Sequence, residues 1–350
     1  MNLILPIAGS SSRFPNVRPK WMLTHPSGDL MLLRSIAGMN IKDFSKIYII
    51  ALREHQEKYK FSDGVLSSFH EKYPEIKTEI IFLDNKTNSQ PETVYQGIKQ
   101  AKITGSICIK DCDNYFEILV KPINFVAYCN LEKNQDVIAA NKSFIEINEF
   151  GLLDNVVEKK VISPFFSCGA YGFGDSEVFI KYYEECKDNE DLYISHIMYK
   201  MLLESNSIAV SEAENYKDWG TIADWKKYTS DYKTYFLDID GVLVQNSSQY
   251  FEPRWGESHG LETNIEKINE LYNSKKCQII LTSARKESFR EITKSQLEKL
   301  GIKYHKLILG LLHAQRIIVN DFSTTNPYPS CKAINIKRNS TELKNYIDGN

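Results

Sequence analysis

Short apolar segments recur along the chain and alternate with longer stretches in which polar, charged and apolar residues are interspersed. The segments fall at positions 3–7, 47–52, 80–83, 107–109, 235–237, 279–281 and 317–319. Continuous apolar runs of this length are typical of strands buried on both faces, and the stretches between them favour connecting helices. The pattern therefore predicts an α/β protein with mostly parallel sheets, in which each run is a strand.

The length of the chain and one polar stretch predict two domains. A chain of 350 residues is about twice the usual size of a domain. Residues 226–234 are mostly polar, and the apolar run that follows them opens a new motif. We place the boundary after Ser230, which gives domains over residues 1–230 and 231–350. The second domain is small but sufficient for a minimal α/β fold.

Composition and charge exclude several classes of protein. With 42% hydrophobic and 12% aromatic residues, the chain can form sizeable cores, which excludes a disordered protein. Its formal net charge of −2 offers no overall field for binding nucleic acid or an anionic membrane. No stretch approaches the ~18 apolar residues of a membrane span, and the apolar amino terminus lacks the basic residues of a signal peptide. The seven cysteines include no C-x-x-C pair, so we predict a reducing, cytoplasmic location and no zinc site.

The first apolar run leads into a turn of small residues that could bind phosphate. Residues 9–15 read Gly-Ser-Ser-Ser-Arg-Phe-Pro, and Lys20 follows shortly afterwards. Such a turn exposes backbone N–H groups to phosphate oxygens, and Arg13 and Lys20 add cationic donors. Ordinary strand-to-helix loops use the same residues, so the turn alone leaves both interpretations open. The candidate nucleotide-binding residues in it are Ala8, Gly9, Ser10, Ser11 and Ser12.

Two aspartates follow the fourth apolar run. Asp111 and Asp113 form an Asp-x-Asp motif at the end of a predicted buried strand. Carboxylate oxygens are the ligands that Mg²⁺ prefers, and Mg²⁺ commonly bridges to substrate phosphates. The same motif occurs in metal-dependent glycosyltransferases, and either aspartate could instead cap a turn.

The order of several segments resembles the sugar-phosphate nucleotidyltransferases. After the strand and the Gly-containing turn come Pro-Lys at 19–20, Gln-Pro-Glu-Thr at 90–93 and the Asp-x-Asp motif. Val-Val-Glu-Lys at 156–159, Cys-Gly-Ala-Tyr-Gly-Phe at 168–173 and Asp-Trp-Gly-Thr at 218–221 follow in the order of that family. The resemblance spans residues 3–221, and the chain departs from the family by using serines where further glycines are usual.

The resemblance implies a Rossmann-like nucleotidyltransferase fold with a mixed, mostly parallel sheet. It implies that a nucleotidyl group passes from a nucleoside triphosphate to a sugar or polyol phosphate and that pyrophosphate leaves. The turn is similar to that of phosphocholine-type cytidylyltransferases, which favours CTP over UTP or dTTP. A nucleic-acid partner is not expected, and a homo-oligomer is left open. The implied roles are charge stabilisation at the α-phosphate for Arg13, phosphate contact for Lys20, base recognition for Gln90, sugar-phosphate binding for Glu158, Lys159 and Gly169, and Mg²⁺ binding for Asp111, Asp113 and Asp218.

A second motif begins the carboxyl-terminal domain. Residues 235–244 read Tyr-Phe-Leu-Asp-Ile-Asp-Gly-Val-Leu-Val, an apolar strand that ends in Asp-x-Asp-Gly. The string resembles the first motif of the haloacid-dehalogenase (HAD) superfamily. Leu-Thr-Ser-Ala-Arg at 281–285 and Ile-Ile-Val-Asn-Asp at 317–321 resemble its later motifs. The resemblance implies Asp238 as nucleophile, Asp240 as general acid and base, Thr282 and Ser283 as phosphate-binding residues, and Asp238, Asp240 and Asp321 as Mg²⁺ ligands.

The carboxyl-terminal domain also departs from that superfamily. Residues 309–315 contain no lysine where related phosphatases usually have one, although Lys306 or Lys332 could reach the site from another position. Only 41 residues separate Asp240 from Thr282, so we predict a small, capless HAD-like Rossmannoid domain. Phosphatase activity and a catalytically inactive regulatory domain both remain open.

The sequence therefore predicts a bifunctional enzyme. Its amino-terminal domain would be an Mg²⁺-dependent nucleotidyltransferase, and its carboxyl-terminal domain a phosphatase of an intermediate in the same pathway, such as surface-polysaccharide biosynthesis. A glycosyltransferase that uses Asp111 and Asp113 is the alternative enzyme class. It leaves Arg13, Lys20 and the segment at 218–221 without a role. A binding scaffold built from two inactive folds is the non-enzymatic alternative.

Overall fold

The computed structural model describes residues 1–9, 18–321 and 331–348. The chain divides into two compact units, Met1–Tyr228 and Thr229–Asn350. Each unit has its own sheet and its own hydrophobic core.

The larger unit alternates strands and helices through its first half and is richer in strands in its second half. Its elements are β1 (Asn2–Pro6), α1 (Met31–Ser35), β2 (Lys46–Leu52), α2 (Arg53–Tyr59), α3 (Ser62–Lys72), β3 (Lys77–Leu83), α4 (Gln90–Ala101), β4 (Ile107–Lys110), β5 (Asn114–Glu117), β6 (Phe125–Asn130), β7 (Ser143–Ile147), β8 (Leu153–Glu158), β9 (Phe165–Phe173), α5 (Ser176–Cys186), α6 (Ile194–Leu203), β10 (Ala209–Glu212), β11 (Glu214–Asp218) and α7 (Ile222–Ser230).

Nine strands of this unit form one mixed sheet. The central strands run in the order β4-β1-β2-β3 and are parallel, whereas β9 joins β4 and β6 in antiparallel pairs. β10 extends the sheet beyond β6, and β7 and β8 branch from β9. A separate antiparallel pair, β5 with β11, places Asp218 opposite Asn114.

The sheet is buried on both faces. Along β1, Leu3 and Leu5 pack in one hydrophobic cluster and Ile4 in another, as expected because successive side chains of a strand point to opposite faces. All three are fully buried. This explains why the strand reads as a continuous apolar run and not as an alternating one.

Local signals in the sequence determine where α4 begins and ends. The Ser89 hydroxyl accepts a hydrogen bond from the Glu92 N–H at 3.3 Å, and Pro91 occupies the first turn. The helix ends at Lys102, which adopts a left-handed conformation with φ of 51°. Gln90 is thereby held in the first turn of the helix.

The smaller unit contains a three-stranded parallel sheet in the order β12-β13-β14. Its elements are β12 (Lys233–Asp238), α8 (Glu262–Asn273), β13 (Cys277–Thr282), α9 (Arg290–Lys299), β14 (Lys306–Ile308) and α10 (Leu343–Asp348). Apolar residues of β12 and β13 pack with α8 and α9 in a single core, in which Ile279, Leu281 and Leu297 are fully buried.

The predicted α/β class and the large sheet with a second, smaller sheet region are confirmed. One predicted strand is wrong. Residues 317–319 form no strand, and Ile317 and Val319 are 78% and 90% exposed. Three apolar residues become a buried strand only where a neighbouring strand supplies hydrogen bonds and a core covers them, and this segment has neither in the described structure.

The described cysteines are all free thiols, of which Cys331 alone is exposed. None of the helices in the described part of the chain combines the length and the hydrophobicity that a membrane span requires. The cytoplasmic location stays a prediction.

Candidate functional sites

A cleft of about 440 Å³ opens in the larger unit at the carboxyl ends of β1 and β4. Ligands of open α/β sheets commonly bind at this edge, where the loops that follow neighbouring strands converge. The predicted site residues that line the cleft are Gly9, Lys20, Gln90, Asp111, Asp113, Glu158, Gly169 and Asp218. Residues that are scattered along the chain are thus brought into one concave site.

Other predicted residues lie away from the cleft lining or outside the described structure. Ala8 is buried beside Gly9. Lys159 is exposed, and its ammonium donates a hydrogen bond to the Tyr193 hydroxyl. Ser10, Ser11, Ser12 and Arg13 lie outside the described residues.

The loop after β4 is held in place by its neighbours. The backbone N–H of Asp111 donates to the Gly169 carbonyl at 2.9 Å, and Gln90 donates to an Asp111 carboxylate oxygen. Beneath the loop, the fully buried ammonium of Lys110 donates to the Asp111 carbonyl at 2.7 Å and to the Asn114 side chain. These contacts fix where the Asp111 carboxylate lies in the cleft.

Burial and neighbouring charges shift the pKa values of Asp111 and Lys110. Burial raises the pKa of Asp111, and the nearby Asp113 carboxylate raises it further. Burial lowers the pKa of Lys110, although the Asp111 charge opposes that shift. A cation that enters the cleft would stabilise the ionised form of Asp111.

Asp113 forms an ion pair with Lys20, whose side chain is 21% exposed. The carbonyl of Asp113 accepts a hydrogen bond from the Trp219 N–H at 2.9 Å, which ties this loop to the segment that carries Asp218. The Trp219 ring packs edge-on against Trp225, with 5.5 Å between the ring centroids. The carboxylates of Asp113 and Asp218 therefore belong to segments that are packed together.

Asp218 is bound through both carboxylate oxygens. Oδ1 accepts the Gly220 N–H at 2.9 Å, and Oδ2 forms an ion pair with Lys142 Nζ at 2.6 Å. Lys142 also donates to the Tyr216 hydroxyl at 2.7 Å. Nothing in the sequence around Lys142 indicated this contact, because its partner lies far along the chain.

Glu158 occupies another part of the cleft, at the end of β8. Its Oε2 accepts hydrogen bonds from the hydroxyls of Ser143 and Ser195, the latter at 2.7 Å. Ser195 lies in the first turn of α6. A negative side chain near a helix amino terminus is favourable, so Glu158 is held as a fixed acceptor that could bind sugar hydroxyls.

Gly169 permits the close approach of β9 to the Asp111 loop. Its φ of +94° is in the region that favours glycine, and a Cβ there would lie 2.4 Å from Asp111 Oδ2.

We expect Gly169→Ala to displace the Asp111 carboxylate and lower the free energy of unfolding by about 1–3 kcal/mol. Gly105→Ala is a matched control, because Gly105 also has positive φ but open space around it. Denaturant unfolding of both variants checks the prediction. Equal losses would show that φ alone, and not the contact with Asp111, sets the effect.

The carboxylates of the cleft suit a divalent cation. Asp111, Asp113 and Asp218 supply the oxygen ligands that Mg²⁺ prefers. In this structure, however, they are bound to Gln90, Lys20 and Lys142. No three His, Cys, Asp or Glu side chains form a metal-binding group among residues 1–9, 18–321 and 331–348. A cation that used these carboxylates would therefore replace the lysine ammonium groups.

The smaller unit places its candidate residues at the carboxyl ends of two parallel strands. Asp238 is the last residue of β12 and lies opposite Thr282, the last residue of β13. Asp240 follows two positions later, and Gly241 adopts a positive φ of 85°. The first two HAD-like motifs therefore meet at one edge of the sheet.

Asp240 is held in a network of hydrogen bonds. The fully buried guanidinium of Arg285 donates to both of its oxygens, each at 2.8 Å. Ser247 donates to the same carboxylate at 2.6 Å and Ser283 at 3.4 Å. This bidentate geometry is among the strongest charge-assisted contacts in proteins. Arg285 lies within the second motif, but no local pattern in the sequence indicated this pairing.

Asp238 has a cationic neighbour that sequence analysis missed. Arg316 Nη2 lies 3.5 Å from Asp238 Oδ1, and the Ile239 N–H donates to the same oxygen at 3.1 Å. Burial raises the pKa of Asp238, whereas Arg316 opposes the shift. Arg316 directly follows the lysine-free stretch at 309–315, so a search for any cation would have found it.

Thr282 and Asp321 are the other predicted residues of the smaller unit that the structure describes at or near this site. The Thr282 hydroxyl donates to the Leu237 carbonyl at 3.2 Å, which links the two strands. Asp321 is exposed at the end of the segment that forms no strand. Within the described residues, Asp238, Asp240 and Asp321 do not form a three-carboxylate group. The metal role of Asp321 stays a prediction.

The comparisons with known proteins divide in the same way as the chain. Residues 234–323 match the sequence model of the HAD domain in Swiss Army Knife RNA repair proteins. No curated protein is similar enough in sequence to count as a match.

Solved structures match 64–65% of the chain in fold, and Met1–Tyr228 makes up a similar share of its length. The nucleoside-diphosphate-sugar pyrophosphorylase from Vibrio cholerae RC9 has 19% identity and a TM-score of 0.54, covering 65% of this chain and 98% of that one. The inositol-1-phosphate CTP transferase from T. maritima has 11% identity and a TM-score of 0.51, with 64% and 90% covered. A UDP-glucose pyrophosphorylase complexed with UDP-glucose has 14% identity and a TM-score of 0.50, with 64% and 95% covered.

The larger unit therefore has the fold of the sugar-phosphate nucleotidyltransferases. The smaller unit contains a HAD domain, and the chain is a fusion of the two.

Proposed function

We propose that the larger unit transfers a nucleotidyl group from a nucleoside triphosphate to a sugar or polyol phosphate. The observation that carries this proposal is the cleft itself, whose lining brings together the carboxylates of Asp111, Asp113 and Asp218 and the lysines Lys20 and Lys142. An Asp-x-Asp glycosyltransferase would need the two aspartates, but it gives no role to Lys20 beside Asp113.

The reaction follows from the charges that must meet in the cleft. A phosphate oxygen of the acceptor attacks the α-phosphorus of the triphosphate, the bond from the α-phosphorus to the α,β-bridging oxygen breaks, and pyrophosphate leaves with that electron pair. Two anions approach each other, so catalysis depends on alignment and on fixed positive charge. Lys20 supplies such a charge. Gln90, at the start of α4, lies where its side chain could recognise the base of the nucleotide. Glu158 accepts hydrogen bonds from the hydroxyls of the acceptor.

Mg²⁺ fits this proposal through Asp111, Asp113 and Asp218. Bound there, it would neutralise phosphate charge and orient the triphosphate. The protein's own part is to hold the carboxylates: Lys110 and Gly169 position the Asp111 loop, and the Trp219 segment positions Asp218.

CTP is the nucleotide we favour, and the fold shared with an inositol-1-phosphate CTP transferase supports that choice. The fold is also shared with a UDP-glucose pyrophosphorylase, so the assay has to compare triphosphates that carry different nucleotide bases. Pyrophosphate release should be measured for the four common triphosphates against sugar and polyol phosphates with Mg²⁺. CTP-dependent release supports the proposal. Sugar transfer from nucleotide-sugars without pyrophosphate exchange would overturn it.

We further propose that the smaller unit is a phosphatase of a phosphorylated intermediate in the same pathway, in keeping with the HAD domain model that residues 234–323 match. An Asp238 oxygen attacks the phosphorus, the ester P–O bond breaks, and the leaving oxygen takes a proton from Asp240. Water then cleaves the aspartyl phosphate, and Asp240 accepts its proton. Arg316 stands beside Asp238 and would compensate charge in place of the missing lysine.

One observation favours a second candidate, a catalytically inactive regulatory domain. Both oxygens of Asp240 accept hydrogen bonds from the buried Arg285. Asp240 could exchange a proton with a substrate only if one of these contacts is released.

Phosphate release decides between the two candidates. The full chain and its Asp238→Asn variant should be tested on sugar phosphates, polyol phosphates and a 3′-phosphorylated oligoribonucleotide, the last because the matching family model is named for RNA repair proteins. Release that Asp238→Asn abolishes supports the phosphatase. Equal release by both proteins would place the activity elsewhere, and no release from any substrate would favour the regulatory domain.

The pH dependence of that release tests the environment of Asp238. A nucleophilic carboxylate must be ionised, and burial raises the pKa of Asp238 from 3.8. We therefore expect kcat/KM to fall with decreasing pH at a pH above 3.8. Arg316→Met should move this acid limb to higher pH, because Arg316 favours the ionised carboxylate. Lys294→Met is the control, since Lys294 pairs with Glu291 on the surface. An unmoved limb in Arg316→Met would contradict the assignment.

A further inference from the structure

Lys142 is a partly buried cation of the cleft, and neither sequence motif assigns it a role. It lies immediately before β7, and its side chain is 14% exposed. In the described part of the chain, Lys20 and Lys142 are the basic residues that line the cleft. Lys159, which the family resemblance assigns to the sugar phosphate, does not line it.

The contacts of Lys142 place it in competition with any cation at Asp218. Gly220 already binds one oxygen of that carboxylate. Lys142 binds the other oxygen at 2.6 Å. A divalent cation that uses Asp218 must therefore take Oδ2 from the lysine, and its double charge favours that exchange.

The displaced ammonium would stay in the cleft. The Lys142 ammonium lies 5.2 Å from the centre of the Tyr216 ring, which itself lines the cleft, and Tyr216 is 5% exposed. The next residue, Ser143, donates to Glu158, the proposed acceptor-binding carboxylate. A long, flexible side chain anchored here can turn from Asp218 towards an acceptor bound at Glu158.

We propose that Lys142 is a mobile cation of the site. It holds the Asp218 carboxylate in the ligand-free protein, yields it to a divalent cation, and then binds the phosphate of the acceptor. This inference rests on the proposed nucleotidyltransferase function and names a phosphate-binding residue for it.

The test uses the full chain and two probes, Mn²⁺ and inorganic phosphate. Removing the competing ammonium in Lys142→Met should tighten Mn²⁺ binding on the order of threefold to tenfold, measured from the free Mn²⁺ signal by electron paramagnetic resonance. Phosphate binding at saturating Mn²⁺, measured by calorimetry, should weaken on the order of tenfold. A purely structural lysine would not give these opposite changes, because a distorted cleft loses affinity for both probes.

Two controls accompany this variant. Lys133→Met removes a surface lysine that pairs with Glu212 and should change neither affinity. Lys187→Met removes a second surface lysine, which pairs with Glu184, and should likewise leave both affinities unchanged. If circular dichroism shows Lys142→Met to be unfolded, Lys142→Gln is measured in its place, because glutamine can still donate to Tyr216.

The outcomes separate this inference from the proposed function. Unchanged or weaker Mn²⁺ binding in a folded Lys142 variant overturns the inference, as does unchanged phosphate binding. Absence of Mn²⁺ binding in the unsubstituted protein also overturns it. If both affinities change as expected but no triphosphate yields pyrophosphate, the mobile cation stands and the nucleotidyltransferase proposal fails.

Discussion

Lys20→Met is expected to lower the rate of pyrophosphate release about 10²- to 10³-fold, the usual range for losing one group that stabilises transition-state charge. Two effects combine. The substitution removes a cation that would face the triphosphate, and it leaves Asp113 beside Asp111 without the ammonium that now pairs with it. The loss should appear mainly in kcat, because the charge it compensates develops in the transition state.

Lys72→Met is the matched control for this experiment. Lys72 pairs with Asp29 at 2.7 Å and is 30% exposed, but it does not line the cleft. Its removal should leave pyrophosphate release within about twofold of the unsubstituted rate, since it deletes a partly exposed ion pair only. If the two substitutions lower the rate equally while circular dichroism shows both proteins folded, Lys20 has no direct catalytic role.

Arg285→Met is expected to give the largest loss of stability, lowering the free energy of unfolding of Thr229–Asn350 by about 3–5 kcal/mol. Arg285 is fully buried and binds both oxygens of Asp240, and it also donates to Gln296 at 2.8 Å. Its removal leaves a largely buried carboxylate without a counter-charge. Denaturant unfolding followed by hydrogen exchange in peptides of this unit measures the loss separately from Met1–Tyr228.

A double substitution identifies the cause. In an Asp240→Asn background the uncompensated charge is absent, so Arg285→Met should be less destabilising there than in the unsubstituted protein. Arg290→Met, which breaks an exposed pair with Glu287, should lower stability by less than about 1 kcal/mol. Equal effects of Arg285→Met in both backgrounds would mean that lost packing, and not the charge, destabilises the unit.

The fold class could be predicted because it depends on short-range patterns, and the same patterns select candidate site residues at the ends of strands. Buried parallel strands read as apolar runs, and the polar residues that follow them meet at one edge of the sheet. Asp111 after β4 and Asp238 at the end of β12 were found in this way. The segment at 317–319 shows the limit of the method, because the same pattern there has no sheet partner in the described structure.

The partners of those residues could not be predicted from the sequence. Lys142 meets Asp218, and Arg285 meets Asp240, across long stretches of chain. No local periodicity encodes such a pair, since it depends on how β7 and β11, or the loops after β12 and β13, approach each other in space. Gly169 is similar: its motif was recognisable, but the 2.4 Å approach to Asp111 that excludes a side chain arises from the pairing of β4 with β9.

The sequence by itself determined the strands β1 to β4, β12 and β13, the characteristic motif of each unit and the acidic residues at the ends of these strands, because each depends on residues that are near neighbours in the chain. The tertiary structure alone decided which cation each carboxylate binds and which lysine faces the cleft. Ion pairing depends on distance and burial, and both are set only when distant segments pack together.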